Sequence, residues 1–489
     1  MPRPVPPLWS SLALERSAGP SLQDQIVAFF RDGILAGRFK AGARVPSSRQ
    51  LAAEHGVARI TAVQAYDRLV AEGYLVPRRG AGLFVAESIP EDHLLPAPSR
   101  PKPAPPGVRR AARLAHSLAL PARPRAALPL TVGIPALDHF PWADWARLAA
   151  RLHRERPLGA LGYADPRGEP ELRAAIAEYL SAARGITCTP EQILVVAGSQ
   201  QGLDFAARLL AQPGDAIWVE EPGYPMGRLA LAAAGLAPAP VPVDGEGLDV
   251  AAGLRSAPRA RLALVSPSHQ YPLGATLSLR RRLALLDWAA AAEAWIVEDD
   301  YDGEYRFAGR PLAPLHTLDR AACVLYLGTF SKVLAPGLRL GYLVVPPDLV
   351  ERFATLKAAT DRHAPSLGQL VLARFISEGR LAAHLRRMRT LYARRRLALL
   401  EALAGEAGGL LDAGDAPEAG LHLVARLRVA ADDEAVSRRA LAAGIYAAPL
   451  SAFYAGGTRQ HGFVLGFANT PEEGMRPAIR KLVDAIRAG

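Results

Sequence analysis

The chain has 489 residues, a net charge of +11, and hydrophobic residues at half of its positions. This length exceeds one ordinary hydrophobic core, so we expect a multidomain protein. No apolar run reaches the ~18 residues that a membrane span needs, the N-terminus lacks the apolar core of a signal peptide, and two cysteines are too few for a disulfide framework. These features argue against membrane-spanning and disulfide-rich secreted proteins, and they predict a cytoplasmic one.

The positive charge is concentrated near the N-terminus. The first 128 residues contain 18 Lys and Arg against 9 Asp and Glu, whereas the rest of the chain is nearly balanced, with 40 against 38. A basic module before a near-neutral body favours contact between the first part and a polyanion. A solvated basic surface gives the same counts, so charge alone does not decide between the two.

The first predicted domain covers residues 15–86. Apolar residues with helical spacing predict a helix in SLQDQIVAFFRDGILAG, a second in SSRQLAAEHG and a third in ARITAVQAYDRLVAEG. The following YLVPRRGAGLFVA predicts two short strands around a basic, glycine-containing turn. Three helices followed by a β-hairpin predict a winged helix-turn-helix.

A helix-turn-helix places its second helix, here the third of the domain, in the major groove. Phosphate contacts set affinity and base-edge contacts set specificity, so we expect contacts from the exposed face of this helix, from the helix before it and from the wing. The predicted DNA-binding residues are Arg49, Arg59, Thr61, Gln64, Arg78, Arg79 and Gly80. A winged helix that makes only protein contacts is the alternative, which the charge balance disfavours.

The stretch GRFKAGARVPSSRQLAAEHGVARITAVQAYDRLVAEGYLVPRRGAGLFVA resembles the GntR family of bacterial regulators across the whole small domain. The resemblance implies that the domain binds double-stranded operator DNA. Members of this family usually have Ser or Thr before the arginine of GVARIT, where the hydroxyl can cap the helix. Here that position is Ala58, and a missing cap costs about 1 kcal/mol.

The composition changes after the first domain. Residues 87–128 include nine prolines among alanines and arginines, which predicts a semi-extended linker. From residue 129 to residue 489, short apolar strands alternate with alanine-rich amphipathic helices, which favours a mostly parallel α/β sheet covered by helices. A helix-rich start and the strand-like GLHLVARLRV predict a smaller C-terminal α+β lobe, at roughly residues 370–489.

Functional sites in such sheets lie at the carboxyl ends of the strands. The segment GTFSKVLAPGLRLGY follows a predicted strand and contains Lys332, one of only five lysines among 58 basic residues. Only a primary amine forms a Schiff base with an aldehyde, which gives a chemical reason for a lysine in an arginine-rich chain. Arg339 can bind a phosphate bidentately, and Thr329 and Ser331 offer hydroxyls to the same group.

Two other strand ends carry polar residues. In AGSQQGL, the backbone N–H groups of Ser199 and Gln200 would bind a phosphate at a helix N-terminus, although an ordinary strand-to-helix turn has the same pattern. In VEDDYDGEY, Asp299 can keep a pyridine nitrogen protonated and Tyr301 can hydrogen-bond a phenolic oxygen. An acidic loop or a metal site is the alternative, but no ligand spacing supports a metal. Together with Lys332, these groups are what a protein contributes to a pyridoxal 5'-phosphate (PLP) site.

The segments SPSHQYPLG, EDDYDGEY and GTFSKVLAPGLRLGY resemble fold-type I aminotransferases, and with the N-terminal domain the whole chain resembles the MocR/GabR subfamily of GntR regulators. The resemblance implies PLP as the cofactor and Lys332 as its Schiff-base residue. It assigns cofactor binding to Lys332, Asp299, Tyr301, Ser199, Gln200, Tyr224, Thr329, Ser331, Arg339, His269, Gln270 and Tyr163. Tyr163 would reach the phosphate of a partner subunit, which implies a homodimer, and the long linker suits the head-to-tail domain swap of this subfamily.

The leading interpretation is a PLP-binding transcription regulator, controlled by PLP or by an amino compound that forms an aldimine at Lys332. The alternative is a working aminotransferase with a DNA-binding appendage, in which Lys332 is the base. Aminotransferases bind the substrate carboxylate with an arginine late in the chain, where FVLGFAN has Val464. This substitution argues against catalytic turnover. Arg228 is the other residue that could bind the substrate carboxylate. A third interpretation is a cofactor-free dimerisation scaffold.

Overall fold

The structure is a computed structural model that describes residues 8–16, 19–78, 80–87, 128–307 and 312–488. The chain divides into two compact units, residues 1–111 and 112–489. Nearly all of the predicted linker lies outside the described residues, and so does Arg79 of the predicted wing. Among the described residues, no helix is both long and apolar enough to cross a membrane.

The first unit contains three helices and a β-hairpin, which confirms the predicted winged helix-turn-helix. Its elements are α1 (Leu22–Leu35), α2 (Ser48–His55), α3 (Arg59–Ala71), β1 (Leu75–Arg78) and β2 (Gly82–Val85). The hydroxyls of Ser21 and Ser47 cap α1 and α2 by accepting backbone N–H groups. By contrast, α3 begins after Ala58 without a side-chain cap.

Aromatic packing fixes the helices of the first unit. Phe30 of α1 contacts Phe39 and Tyr66, with ring centroids 5.3 and 5.6 Å apart. The Tyr66 hydroxyl donates to the Pro46 carbonyl at 2.9 Å, so this polar group is satisfied although it is buried. A side chain at Gly33 would place its Cβ 2.3 Å from the Phe39 ring, so the close approach of this ring to α1 requires a glycine. This core leaves the opposite face of α3 in solvent.

The second unit is built on a mixed sheet with strand order β3-β10-β9-β8-β7-β4-β5-β6. The strands are β3 (Ile193–Val196), β4 (Ala216–Glu221), β5 (Ala237–Asp244), β6 (Gly247–Leu248), β7 (Leu262–Val265), β8 (Trp295–Asp300), β9 (Val324–Thr329) and β10 (Gly341–Val344). The central strands β5, β4, β7, β8 and β9 are parallel, as the sequence predicted.

Helices surround this sheet. They are α4 (Trp142–Glu155), α5 (Pro170–Arg184), α6 (Ser199–Leu210), α7 (Pro225–Ala233), α8 (Val250–Ser256), α9 (Leu279–Ala292), α10 (Val350–Thr360) and α11 (Ser366–Ser377). Because β10 is antiparallel to both β3 and β9, those two strands point the same way. The carboxyl ends of β3, β4, β7, β8 and β9 therefore lie at one edge of the sheet.

The smaller C-terminal lobe has an antiparallel sheet with strand order β11-β12-β14-β13, which confirms the predicted α+β lobe. Its elements are α12 (Arg380–Glu406), β11 (Leu411–Asp412), β12 (His422–Leu427), α13 (Asp433–Ala442), β13 (Ala448–Pro449), β14 (Gly462–Gly466) and α14 (Glu472–Arg487). Buried residues of α12 and α14, including Leu399, Leu403 and Ile479, belong to the main core of the unit.

A buried ion pair fixes the end of β8. The Arg184 guanidinium at the end of α5 binds the Asp300 carboxylate, and both side chains are almost fully buried. Arg184 also donates to the Gly303 carbonyl at 2.9 Å, and the Tyr326 hydroxyl donates to Asp300 at 2.7 Å. These bonds hold the strand end that carries the acidic segment of the candidate site.

We expect Arg184→Met to destabilise the second unit by about 3–5 kcal/mol, because Asp300 would remain buried without its counter-charge. The midpoint of urea unfolding, followed by tryptophan fluorescence, measures this effect, since five of the six tryptophans lie in the second unit. Arg208→Met, which breaks the exposed pair with Asp204, is the matched control and should leave the midpoint unchanged. Equal midpoints for both variants would show that Arg184 does not stabilise β8.

Candidate functional site

The Lys332 amine lies just beyond the end of β9, in a half-buried position. It donates to the Gly133 carbonyl at 2.8 Å. Gly133 has a φ of +74°, and an added Cβ would lie 3.1 Å from the amine, so this close approach favours glycine. The surrounding backbone therefore holds the amine at a defined position at the edge of the sheet.

Asp299 lies near the end of β8 and is buried, and its Oδ1 atom has no hydrogen-bond partner among the described residues. Burial, together with the charges of Asp300 and Asp302, raises the pKa of Asp299 to about 7, and the charge of Lys332 opposes the shift. A buried carboxylate without a partner is costly. This oxygen is therefore suited to accept a hydrogen bond from a cationic N–H group of a bound molecule.

Tyr301, His269 and Asp302 form a buried hydrogen-bonded chain. His269 Nδ1 lies 3.0 Å from Asp302 Oδ2 and 3.1 Å from the Tyr301 hydroxyl. Burial raises the pKa of Tyr301 well above its ordinary value, so the phenol keeps its proton. Because the Asp302 carboxylate attracts the Nδ1 proton of His269, the proton of Tyr301 stays available for a bound acceptor.

His422 joins this chain from β12 of the smaller lobe, and sequence analysis missed both it and Asp302. The centroid of the His422 ring lies 5.2 Å from that of the His269 ring. The side-chain atoms of His269, Asp302 and His422 that could bind a metal ion lie within 4.8 Å of one another. However, His422 Nε2 already contacts the Pro272 carbonyl at 3.0 Å, while His269 Nδ1 is bound to Asp302. The cluster thus connects the two lobes through hydrogen bonds beside Tyr301.

The predicted phosphate contacts lie at a neighbouring corner of the same edge. Arg339 donates to the Ala197 carbonyl, one residue before the turn at Gly198 that starts α6 with Ser199. Gly341 pairs with both Val196 and Thr329, which places the ends of β3 and β9 together. Thr329 Oγ1 accepts the Ser331 N–H at 3.1 Å. A helix N-terminus, an arginine and the Thr329 hydroxyl thus lie at one corner.

Three further predicted residues have clear partners. Gln200 Nε2 donates to the Tyr224 hydroxyl at 2.9 Å, and the Tyr224 ring contacts Tyr271 edge to face. The buried Gln270 amide donates to the Pro222 and Tyr271 carbonyls at 2.8 and 2.7 Å. Its Nε2 group therefore holds the loop after β7, and a contact of Gln270 with a cofactor stays a prediction.

Tyr163 is separated from the other predicted cofactor residues within this chain. Its side chain is 82% exposed, and the Arg362 guanidinium lies 4.4 Å from its ring centroid. No contact between Tyr163 and the remaining predicted residues occurs in the described part of the chain. The contact of Tyr163 with the cofactor phosphate of a partner subunit stays a prediction.

The position expected to bind a substrate carboxylate is apolar. Val464 of β14 is fully buried in a cluster with Val132, Leu450 and Phe453. The Arg228 guanidinium donates to the Phe453 carbonyl at 2.6 Å and lies 3.8 Å from the Glu221 carboxylate. Arg228 is therefore engaged by the protein rather than directed at a ligand.

The first unit presents a separate candidate site, the outward face of its helix-turn-helix. Arg49, Arg59 and Gln64 are exposed and Thr61 is half-buried. Within the described residues, Arg49 and Arg59 form no ion pair, whereas Arg78 pairs with Glu87 at 3.0 Å and stacks on Phe84. Gly80 lies in the wing turn with a φ of +72°.

Sequence analysis missed an exposed cation beside the wing, Arg44. The backbone of Arg44 forms an isolated antiparallel β-bridge with Phe84 of β2. An added Cβ on Gly82 would lie 3.4 Å from the Arg44 guanidinium. Arg44 thus extends the cationic surface toward the wing. The strand-like residues before Pro46 could have indicated that Arg44 pairs with the wing, but they were too few to predict a strand.

Family models match both units. Residues 22–85 match the model for bacterial regulatory proteins of the gntR family, and residues 126–482 match aminotransferase class I and II. The probable rhizopine catabolism regulatory protein MocR of Rhizobium meliloti is 40% identical, covering 98% of this chain and 96% of that protein. The pyridoxine biosynthesis transcriptional regulator PdxR of Corynebacterium glutamicum is 34% identical, covering 98% and 99% of the two chains.

The second unit is also similar to solved aminotransferases. The crystal structure of LysN, the α-aminoadipate aminotransferase of Thermus thermophilus complexed with N-(5'-phosphopyridoxyl)-L-leucine, has a TM-score of 0.68 and 32% identity. The match covers 74% of this chain and 92% of that one. The aminotransferase match and this phosphopyridoxyl complex identify PLP as the cofactor of the second unit.

The residues at the sheet edge fit PLP. The partnerless oxygen of Asp299 matches a protonated ring nitrogen, and the Lys332 amine matches an aldehyde. The N-terminus of α6 with Arg339 matches a phosphate. The second unit therefore has complementary groups for the ring nitrogen, the aldehyde and the phosphate of this cofactor.

We expect Asp299→Asn to change how stability depends on pH in the cofactor-free protein. Since the pKa of Asp299 is raised from 3.8 to about 7, the folded chain retains a proton that the unfolded chain releases. The free energy of unfolding therefore falls as the pH rises through that interval. The variant should lose less thermal stability than the wild type between about pH 4 and about pH 7, yet bind PLP more weakly. Asp287→Asn, at an exposed position on α9, is the control, and identical profiles for all three proteins would contradict the assignment.

Proposed function

Since the chain belongs to the MocR-like GntR regulators, in which a winged helix-turn-helix is joined to an aminotransferase class I and II domain, we propose that PLP, or an amino compound that reacts with it, controls its DNA binding. The observation that carries this proposal is the presence of two separately built sites. Arg49 and Arg59, which are exposed and form no ion pair within the described residues, line the helix-turn-helix. Lys332 lies at the same sheet edge as the buried Asp299 oxygen, which has no hydrogen-bond partner among those residues.

The residues of the second unit bind and orient the cofactor. When bound, PLP supplies an aldehyde that condenses with primary amines and a ring that withdraws electrons. Asp299 accepts the ring N–H group, Tyr301 donates to the phenolic oxygen, and the corner at Ser199 and Arg339 binds the phosphate. Tyr224, held by Gln200, covers one face of the ring.

A ligand controls DNA binding only through its different affinities for the binding-competent and binding-incompetent states. PLP itself fits this role, because the site has a partner for each of its polar groups. The relative named for pyridoxine biosynthesis supports a vitamin B6 compound as the signal. An amino compound that competes with Lys332 for the aldehyde would act at the same place. Such a regulator works in the cytoplasm, where a bacterial chromosome lies.

Aminotransferase activity is the second candidate function. The set of Lys332, Asp299 and Tyr301 favours it, because a lysine amine so placed can transfer protons. The buried Val464 and the engaged Arg228 disfavour it, since neither offers a cation to a substrate carboxylate. Steady amino-group transfer with a panel of amino donors would establish this function and overturn a purely regulatory role.

We also propose that the protein is a homodimer in which Tyr163 binds the cofactor phosphate of the partner subunit. Tyr163 follows closely in the chain after two exposed apolar residues of the second unit, Leu158 and Leu161. Apolar side chains exposed this close together favour a protein interface. A linker of the length predicted for residues 87–128 permits a head-to-tail exchange of the DNA-binding domains.

We expect the DNA and cofactor functions to be separable by mutation. Arg59→Ala should abolish specific DNA binding while the visible absorbance of bound PLP is unchanged. Lys332→Ala should remove that absorbance. Mobility shifts on DNA selected by the wild-type protein, with and without PLP, and absorbance spectra measure the two effects. Arg208→Ala, at an exposed position on α6, is the control. Loss of both properties in Arg59→Ala would contradict two separate sites.

Tyr163→Phe should weaken PLP binding severalfold through a lost phosphate contact, while the protein remains dimeric. Leu161→Glu should shift the protein toward monomers and weaken PLP binding as well, because each site would lose its partner residue. Sedimentation equilibrium and PLP titration measure the two effects. A monomeric wild-type protein with normal PLP affinity would refute the shared site.

A further inference from the structure

Ile60, the second residue of α3, presents an unusual aliphatic surface to solvent. Its side chain is 62% exposed, whereas Ala62, Ala65, Tyr66 and Leu69 of the same helix are buried. Single exposed apolar residues are common on protein surfaces, so exposure alone carries no function. The position matters here, because the first turns of the recognition helix contact base edges in a helix-turn-helix.

Gln64 lies one turn further along the same outward face. It is exposed, and its amide makes no hydrogen bond to any residue in the described part of the chain. Asp67 is exposed on this face another turn on, and its carboxylate repels phosphates. The neighbouring Arg68 is paired with Asp24 and Glu72, at 2.8 and 2.7 Å. The surface available for a duplex is therefore restricted to the first two turns of α3.

The chemistry of this surface matches an A·T pair. In the major groove, thymine presents an apolar C5-methyl group, and adenine presents the N6 and N7 pair that a glutamine amide binds bidentately. Ile60 has no polar atom beyond its backbone, so it discriminates bases only through an apolar contact. Its β-branched side chain is stiff, which reduces the entropy lost on contact.

The spacing of the two side chains fits adjacent bases. Four residues of an α-helix rise about 6 Å, and successive bases of one strand lie about 3.4 Å apart. Ile60 and Gln64 therefore reach positions one or two base pairs apart. Arg49 and Arg59, both exposed and without an ion pair in the described part of the chain, flank this surface and can neutralise phosphates on either side.

We propose that Ile60 contacts a thymine methyl group in each operator half-site and that Gln64 binds an adenine one or two base pairs away. Ile60 thus determines specificity, in addition to the arginines that provide affinity. This inference rests on the proposed DNA-binding function. The inference and the DNA-binding function can fail separately. Selection of a DNA sequence by the wild-type chain tests DNA binding before any base is changed.

The test removes single methyl groups from the DNA. The full-length protein first selects duplexes from a random pool, and each thymine of the selected half-site is then replaced by deoxyuridine, which lacks only the methyl group. We expect one replacement to weaken wild-type binding roughly threefold to tenfold at fixed salt. The same replacement should not weaken DNA binding by Ile60→Ala, and it should weaken binding by Ile60→Val to an intermediate extent.

Leu35→Ala is the matched control, because Leu35 of α1 is a 41% exposed aliphatic residue outside the recognition helix. It should keep the full penalty of the wild type. An equal penalty in Ile60→Ala, or no sensitive thymine at all, would overturn the proposal. If Ile60 instead mediates contact between protein copies, Ile60→Ala will change the sedimentation of the protein and leave the penalty intact, which also overturns it.

Discussion

The burial of three consecutive carboxylates at the end of β8 constrains the whole second unit. Alternate residues of a strand point to opposite sides of the sheet, so Glu298 and Asp300 face away from Asp299. Glu298 accepts two backbone N–H groups, from Leu315 and His316, and Asp300 binds Arg184. Among the described residues, Asp299 alone of the three keeps an oxygen without a hydrogen-bond partner. The scaffold satisfies two of the charges and leaves the third for a cationic ligand.

The sequence predicted the fold and much of the site for a physical reason. Apolar periodicity located the strands, and in a parallel sheet their carboxyl ends must share an edge, so Ser199, Asp299 and Lys332 were expected together. It could not predict partners that meet only through packing of the two lobes, such as His422 with His269. The sequence also could not predict that Arg228 would bind the Glu221 carboxylate and the Phe453 carbonyl. Exposure of Ile60 was equally hidden, because an isoleucine in an amphipathic helix is expected to be buried.

The two lobes differ in what they contribute to the site. The large sheet supplies polar groups with defined orientations, while β14 supplies the buried Val464 and its apolar neighbours. The buried cluster around Val464 therefore offers no cation to a substrate carboxylate. This difference between the lobes favours cofactor binding over binding of a substrate carboxylate. It agrees with the similarity to named regulators over nearly the full length of the chain.

The bond between Lys332 and Gly133 connects the amine to the first described residues of the second unit. The segment 128–133 follows the predicted linker and is anchored to the smaller lobe at Leu130, whose carbonyl accepts the Gly466 N–H and whose own N–H binds Thr470. A ligand that engages the Lys332 amine competes with the Gly133 carbonyl for it. Lys332 thus ties the first described segment of the second unit to the sheet edge, as well as offering a reactive group.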